Sequence, residues 1–281
     1  MNALKYIIFC IALCFVSNTQ AQNFEYTDSV TEFEKNEGDK TFMGHILERT
    51  AYTFKALGRG VEYSLRAGYE IGGTSPMPLP AEIRKIESFK PKMHFYIEGN
   101  VNKTFKRNRN WGLLLGIRLE QKGMETQAQV KNYNMRMDGG DGTMVEGAFT
   151  GHVITKVNNS YLSIPLLVTC KVTDRWKLRL GPYYSHLLGK DFSGKAMDGY
   201  LREGDPTGDY VAVSTADYDF SNDLRKWNIG VQFGADWKVL KHLAVALDLQ
   251  WGLNDIFKKD FEVIKFDMYP IYGTIGIAYL F

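Results

Sequence analysis

The chain has 281 residues, with 34 Lys and Arg against 32 Asp and Glu, a formal net charge of +2. That balance gives no electrostatic reason to expect nucleic acid or a strongly acidic partner. Hydrophobic residues are an ordinary 44%, but 27 Gly, 16 Tyr and 17 Phe point to many strands and turns and away from a helical fold.

Residues 1–21 read as a cleaved export signal. Lys5 is a basic start, "YIIFCIALCFV" an apolar core, and "TQA" a small-residue cleavage site before Gln22. Cys10 and Cys14 lie inside it, preceded by Phe9 and Leu13, which argues against lipidation. The mature chain keeps one cysteine, Cys170, so it offers neither an internal disulfide nor a cysteine metal cluster. No later run of 18 apolar residues predicts a transmembrane helix. Residues 22–58 read as a periplasmic segment. Phe42, Ile46, Thr50, Phe54 and Leu57 stand near helical spacing there, and Gly58 and Gly60 would end that short helix.

From residue 59 to 281 the period changes to two. Eight stretches alternate: "GVEYSLRAGYEIGG" (60–73), "MHFYIEGNV" (93–101), "WGLLLGIRLEQK" (111–122), "YLSIPLLVTCKV" (161–172), "RWKLRLGPYYSHLL" (175–188), "WNIGVQFGADWKVL" (227–240), "LAVALDLQWGLND" (243–255) and "YGTIGIAYLF" (272–281). A soluble sandwich would alternate too, and three features decide against it. The strands match the roughly 9–11 residues a tilted bilayer-crossing strand needs, where soluble strands run about five or six. The apolar face carries aromatics near its ends, at Trp111, Trp176, Trp227, Trp237, Trp251, Tyr269, Tyr272 and Tyr279, as in the girdles at membrane interfaces. The polar face is charged in mid-strand, which suits a lumen.

Connections alternate as well. Long links (73–91, 123–159, 190–225 and 255–269) follow the odd strands, and short turns near 104–108, 173–175 and 240–242 follow the even ones. Short periplasmic turns with long outer loops are the outer-membrane pattern. The expectation is all-β: a closed antiparallel transmembrane β-barrel of eight strands, in the cell outer membrane, with a short N-terminal helical segment. Its last strand would turn Ile277, Tyr279 and Phe281 to lipid.

Several strand segments carry a family resemblance: "GIRLEQKGM" (116–124), "YLSIPLLV" (161–168), "LGPYYSHLLG" (180–189), "IGVQFGADWKV" (229–239), "ALDLQWGLNDIF" (246–257) and "GIAYLF" (276–281). In that order they resemble the PorT-type outer-membrane β-barrel family, over about residues 60–281. The resemblance implies a small barrel of about eight strands, mostly without a defined activity. The founding member supports a secretion system, but no residue here matches one that would carry that role. A terminal aromatic strand, Ile277, Tyr279 and Phe281, resembles the signal read by the barrel-assembly machinery. Residues 72–86, "GGTSPMPLPAEIRKI", depart from the minimal pattern, and their prolines suggest an extended, ordered outer loop.

For chemistry, the lumen face offers Glu62, Glu70, Glu98, Glu120, Asp236 and Asp248 against Arg66, Arg118, Lys122, Lys171, Lys177, Arg179 and Lys238. Near balance predicts a mutually paired polar network. An eight-strand barrel is just wide enough for such side chains to fill it, and a narrow pore is the alternative. An enzyme needs a nucleophile beside a base. Ser185 and His186 are neighbours in a strand and point to opposite faces. His94 could meet Ser64, but reads as a hydrogen-bonded core histidine. Asp217 and Asp219 lack a matching Asp–His pair. No catalytic, cofactor or metal site is expected, with a barrel enzyme modifying outer-leaflet lipid as the competing reading. The acidic third loop (Asp198, Glu203, Asp205, Asp209, Asp217, Asp219, Asp223) and "DGGDGT" (138–143) could hold a divalent ion, but read as solvated loops. Pro165 marks a bulge or break. Expected partners are outer-membrane lipid and lipopolysaccharide, the barrel-assembly machinery during insertion, and an envelope protein.

Overall fold

The computed structural model describes residues 60–138, 144–203 and 207–281. The export signal and the N-terminal helix lie outside those residues. Eleven strands follow in chain order: β1 (Val61–Pro76), β2 (Ile83–Lys92), β3 (His94–Thr104), β4 (Trp111–Asp138), β5 (Met144–Lys171), β6 (Trp176–Gly189), β7 (Phe192–Glu203), β8 (Tyr210–Asp219), β9 (Trp227–Lys238), β10 (Leu243–Gly252) and β11 (Met268–Leu280).

Eight of them close a barrel. The wall runs β1-β3-β4-β5-β6-β9-β10-β11 and returns to β1, every neighbour antiparallel. Each of these eight carries one of the eight alternating stretches, with ends that differ by one to three residues where a stretch runs past its strand, as at 253–255 beyond β10. Burial is inverted relative to a soluble protein: outward Leu115 and Leu180 are 52% and 58% exposed, while inward Arg118 and Arg179 are fully buried. Such a surface is stable only against lipid. Glycine clears the lumen where bulky ions crowd; a Cβ on Gly234 would lie 2.9 Å from the Arg179 guanidinium carbon.

The long links are not simple loops. β4 and β5 have 28 residues each and pair far beyond the barrel wall, to Asp138↔Met144. β2 flanks β4 there, β7 flanks β5, and β8 flanks β7. The result is a five-stranded lip, β2-β4-β5-β7-β8, rising from one end of the barrel. A bulge between Val130 and Tyr133, with Asn132 at φ 53°, changes the parity of β4. Below it Val130 faces inward; above it Met135 and Met137 do.

The inner face of the lip has its own apolar core. Phe149, Phe192, Phe220 and Phe257 are buried with Met135, Ile256 and Val263. Phe257 contacts Phe192 at 5.0 Å between ring centroids and Phe261 at 4.7 Å. Of residues 255–269, expected as a long outer link, Ile256, Phe257, Val263, Ile264 and Met268 pack into this core, and the Lys258 N–H donates to the Asp223 carbonyl at 2.9 Å.

One local reading changes and one holds. Tyr272, grouped above with the lipid-facing aromatics, points into the lumen and is buried, because it pairs with inward Gln250. Pro165 marks the local break expected there, without ending β5 or shifting its register. The β4 ladder is interrupted between Leu115↔Leu166 and Arg118↔Ser163, and Gly116 faces the proline ring there.

Candidate functional site

The lumen is crossed by a closed ring of alternating charges. Arg66 on β1 donates to Glu98 on β3 at 3.1 Å and to Asp236 on β9 at 2.7 Å. Arg118 on β4 joins Glu98 through Nε and reaches Asp248 on β10 at 2.9 Å. Arg179 on β6 completes the circuit to Asp248 at 3.0 Å and Asp236 at 2.8 Å. Three guanidiniums and three carboxylates thus come from six strands, and no member's side chain is more than 9% exposed. Planar guanidinium groups suit this role, since each spans two carboxylates and stays charged. Tyr96 lies over Arg118, 4.6 Å from ring centroid to guanidinium carbon.

A second layer lies toward the lip. Glu120 accepts from Ser163, which meets Ser185, both at 2.5 Å. Lys122 sits 2.9 Å from Glu120 and donates to Gln250 at 2.7 Å. Three tyrosine rings, Tyr161, Tyr183 and Tyr272, surround its ammonium at 5.4–5.5 Å. Lys122 is therefore held by two carboxylates, Glu120 and, at 3.7 Å, Glu70, and by an aromatic cage, a way of keeping a lysine charged without water. The convergence of these tyrosines on Lys122 was missed, since strand period does not say which residues of different strands meet.

The turn end is different. Glu62 and Lys177 pair with each other at 2.7 Å, partly in solvent, and do not join the ring. They edge a vestibule of about 270 Å³. Lys171 and Lys238 stand exposed at its rim. Six of the thirteen charged residues expected on the lumen face therefore form the ring, Glu70, Glu120 and Lys122 lie one layer above it, and Glu62, Lys171, Lys177 and Lys238 stand at the mouth.

On the outer surface, Trp111, Trp176, Trp237 and Tyr279 lie at the turn end, Trp227 and Trp251 at the lip end, all 40–49% exposed. Trp176 stacks on Trp237 at 6.1 Å. Ile277, Tyr279 and Phe281 share one outward face of the last strand, with Tyr279 edge-on to Phe281 at 5.0 Å.

None of the weighed catalytic pairs is assembled. Ser185 is buried in the lumen and His186 is exposed on the other face. His94 pairs in register with Glu70 and Ser64 with Asn100, so His94 and Ser64 are not partners across the β1–β3 ladder. Asp217 lies 3.3 Å from Lys195. The acidic third link is folded rather than loose: Asp198 lies on β7, Asp217 and Asp219 on β8, and Asp223 pairs with Arg136 at 2.9 Å. Of "DGGDGT", residues 139–143 lie outside the described residues.

Among known proteins, the model of the outer membrane protein beta-barrel domain matches residues 20–258. No curated protein matches the sequence. Solved structures with a similar chain path include Ail, the attachment invasion locus protein of Yersinia pestis, at 12% identity and a TM-score of 0.37, covering 79% of this chain and 99% of Ail. OprG from Pseudomonas aeruginosa is 12% identical with a TM-score of 0.33, covering 78% and 95%. Neisserial surface protein A is 9% identical with a TM-score of 0.30, covering 79% and 99%.

Proposed function

The chain belongs to the outer membrane protein beta-barrel domain family, and from that premise we propose that it is a non-conducting, non-enzymatic anchor whose five-stranded lip faces outward and meets a surface or envelope partner. The observation that carries this reading is the charge ring. Six strands commit their inward side chains to one another, with the caged Lys122 and the apolar lip core stacked above. A barrel of eight strands has little room left for a path once such side chains fill it.

The remaining surface features fit the same role. Trp111, Trp176, Trp237 and Tyr279 would sit at one membrane interface, Trp227 and Trp251 at the other. Ile277, Tyr279 and Phe281 would be read by the barrel-assembly machinery after the export signal, residues 1–21, is removed. Outer-membrane lipid and lipopolysaccharide would then surround the barrel. The PorT-type resemblance makes the partner a component of an envelope assembly, such as a secretion system.

Planar-bilayer recording of the purified full chain tests the proposal, together with an epitope inserted after Gly140 and probed on intact cells. The expected result is no discrete conductance step and a surface-accessible epitope. A reproducible open state would establish the narrow-pore reading instead. An epitope reached only after permeabilisation would overturn the outward orientation.

A further inference from the structure

A second feature lies in the barrel wall rather than the lumen. β2 and β3 run end to end along β4, with Met93 between them. β1 pairs with β3 from Val61↔Lys103 to Glu70↔His94, where that ladder stops. Higher up, among the described residues, Ile71–Pro76 pairs on its β11 side and β2 pairs with β4. The wall is therefore split between β1 and β2. On the split edge the Thr74 N–H donates to the Met124 thioether at 3.2 Å, a weak acceptor. A Cβ on Gly73 would lie 2.9 Å from both the Met124 sulfur and the Phe89 ring. Glycine there lets those two side chains close over β1.

Behind the split is a cavity of about 530 Å³. Its floor is buried and apolar, with Met124, Ala128, Val130, Val153 and Phe192 from the lip core. Its mouth is formed by Leu79, Ile86 and Phe89, each about half exposed. Gly73 pairs with Ile271, and Ile271 with Trp251, so the mouth is level with the lip-end aromatics. The outward surface below it, at Tyr69, Ile71 and Phe95, is the lipid-facing wall. The cavity thus opens sideways onto the surface that meets the bilayer.

We propose that this cavity holds a single acyl chain of a membrane lipid, admitted laterally through the split between β1 and β2. Its volume lies in the range of ligand pockets, and a cavity with an apolar floor is a poor host for water. The Thr155 hydroxyl in its lining already meets Tyr218 Oη at 2.7 Å. The acyl chains that lie against Ile71 and Phe95 are the apolar matter at hand, and the lining supplies the contacts an empty cavity lacks. This proposal is independent of the anchor reading, since it needs neither a partner nor a closed lumen.

Native mass spectrometry of the full chain released from nanodiscs tests it. One set of discs contains phosphatidylglycerol alone and another adds lipid A. The wild type is expected to keep one lipid after collisions have stripped the annular belt, and the retained mass identifies the donor. Ala128→Phe and Thr126→Leu, which fill the cavity to different extents, should each lose that lipid. The milder Leu variant keeps the test open if the Phe variant does not fold. A wild type stripped bare in both discs, or equal retention in the folded fillers, would overturn the proposal.

Discussion

At the scale of single residues, the charge ring makes neighbours interdependent. Glu98 is shared by Arg66 and Arg118, so Glu98→Ala would take one partner from each guanidinium and leave a site closed to solvent one negative charge short. Breaking a buried pair in this way costs about 3–5 kcal/mol, and a urea titration of the refolded protein in detergent should show a loss of that size. Removing an adjacent pair as a unit leaves fewer charges unmatched than the two single changes do. Glu98→Leu with Arg118→Met should therefore be less destabilising than the sum of its parts, by about 0.5–3 kcal/mol of coupling. Additive losses would mean that the ring members act independently. The Glu62–Lys177 pair provides a contrast in the same lumen. It lies at the partly solvated mouth, where such a pair is worth about 0–1 kcal/mol and weakens with salt. Lys177→Met should leave the urea midpoint nearly unchanged, and what change there is should fade at high ionic strength. A loss matching that of Glu98→Ala would move this pair into the ring's energetics.

At the scale of elements, the barrel wall and the lip are stabilised by different solvents. The wall strands are long and present large apolar side chains to lipid, so period-two alternation was plain in the sequence from Val61 to Phe281. The outer face of the lip strands mixes polar residues with exposed Ile86, Phe89, Met144, Tyr210 and Val211. "FSGKAMDGYLRE" and "YVAVSTADYD" lack the contrast that marks a wall strand, and "QAQVKNYNMRMD" reads as a loop until the bulge at Asn132 explains its change of parity. The ring was half legible for a related reason. Parity shows which charges face inward, but the stagger of the barrel decides which of them meet. Arg66 and Asp236, 170 residues apart, become partners only when β1 closes on β11. Tyr272 went to the wrong face because its aromatic character was weighed above its position in the alternation. The division into wall and lip has a measurable consequence. Phe257 is buried at the centre of the lip core and contacts no member of the charge ring. Phe257→Ala should cost the lip about 3–5 kcal/mol while sparing the barrel, since parts of a protein can open separately. Limited proteolysis should then cut within 192–224 and 253–267, with the barrel still migrating as a compact species in unheated electrophoresis. Loss of that compact species would make lip and wall one cooperative unit.

At the scale of the whole molecule, the seals lie in series along the axis, and this decides what any one of them can do. From the turn end a solute would meet the vestibule, then the charge ring, then the Lys122 layer with its three tyrosines, and last the apolar core of the lip. The first barrier is electrostatically neutral as a set, the second is a cation paired with Glu70 and Glu120 inside an aromatic cage, and the third is a largely apolar core that solvates ions poorly. On the proposed non-conducting reading, ions cross only if all three fail together. A variant in which all six ring residues are replaced by Ser would remove every charge of the ring and widen the middle of the lumen. It would keep Lys122, Tyr161, Tyr183 and Tyr272, and the phenylalanines above them. Its conductance in planar bilayers is expected to stay at the baseline, even if its stability changes. Shortening residues 256–266 in that background removes Phe257 and Phe261 from the lip core, and adding Lys122→Ser removes the cation that organises the cage. Only the combined variant should show ion flow. Conductance on emptying the ring alone would mean that the charges are the gate, and that the lip above them is an open collar rather than a lid.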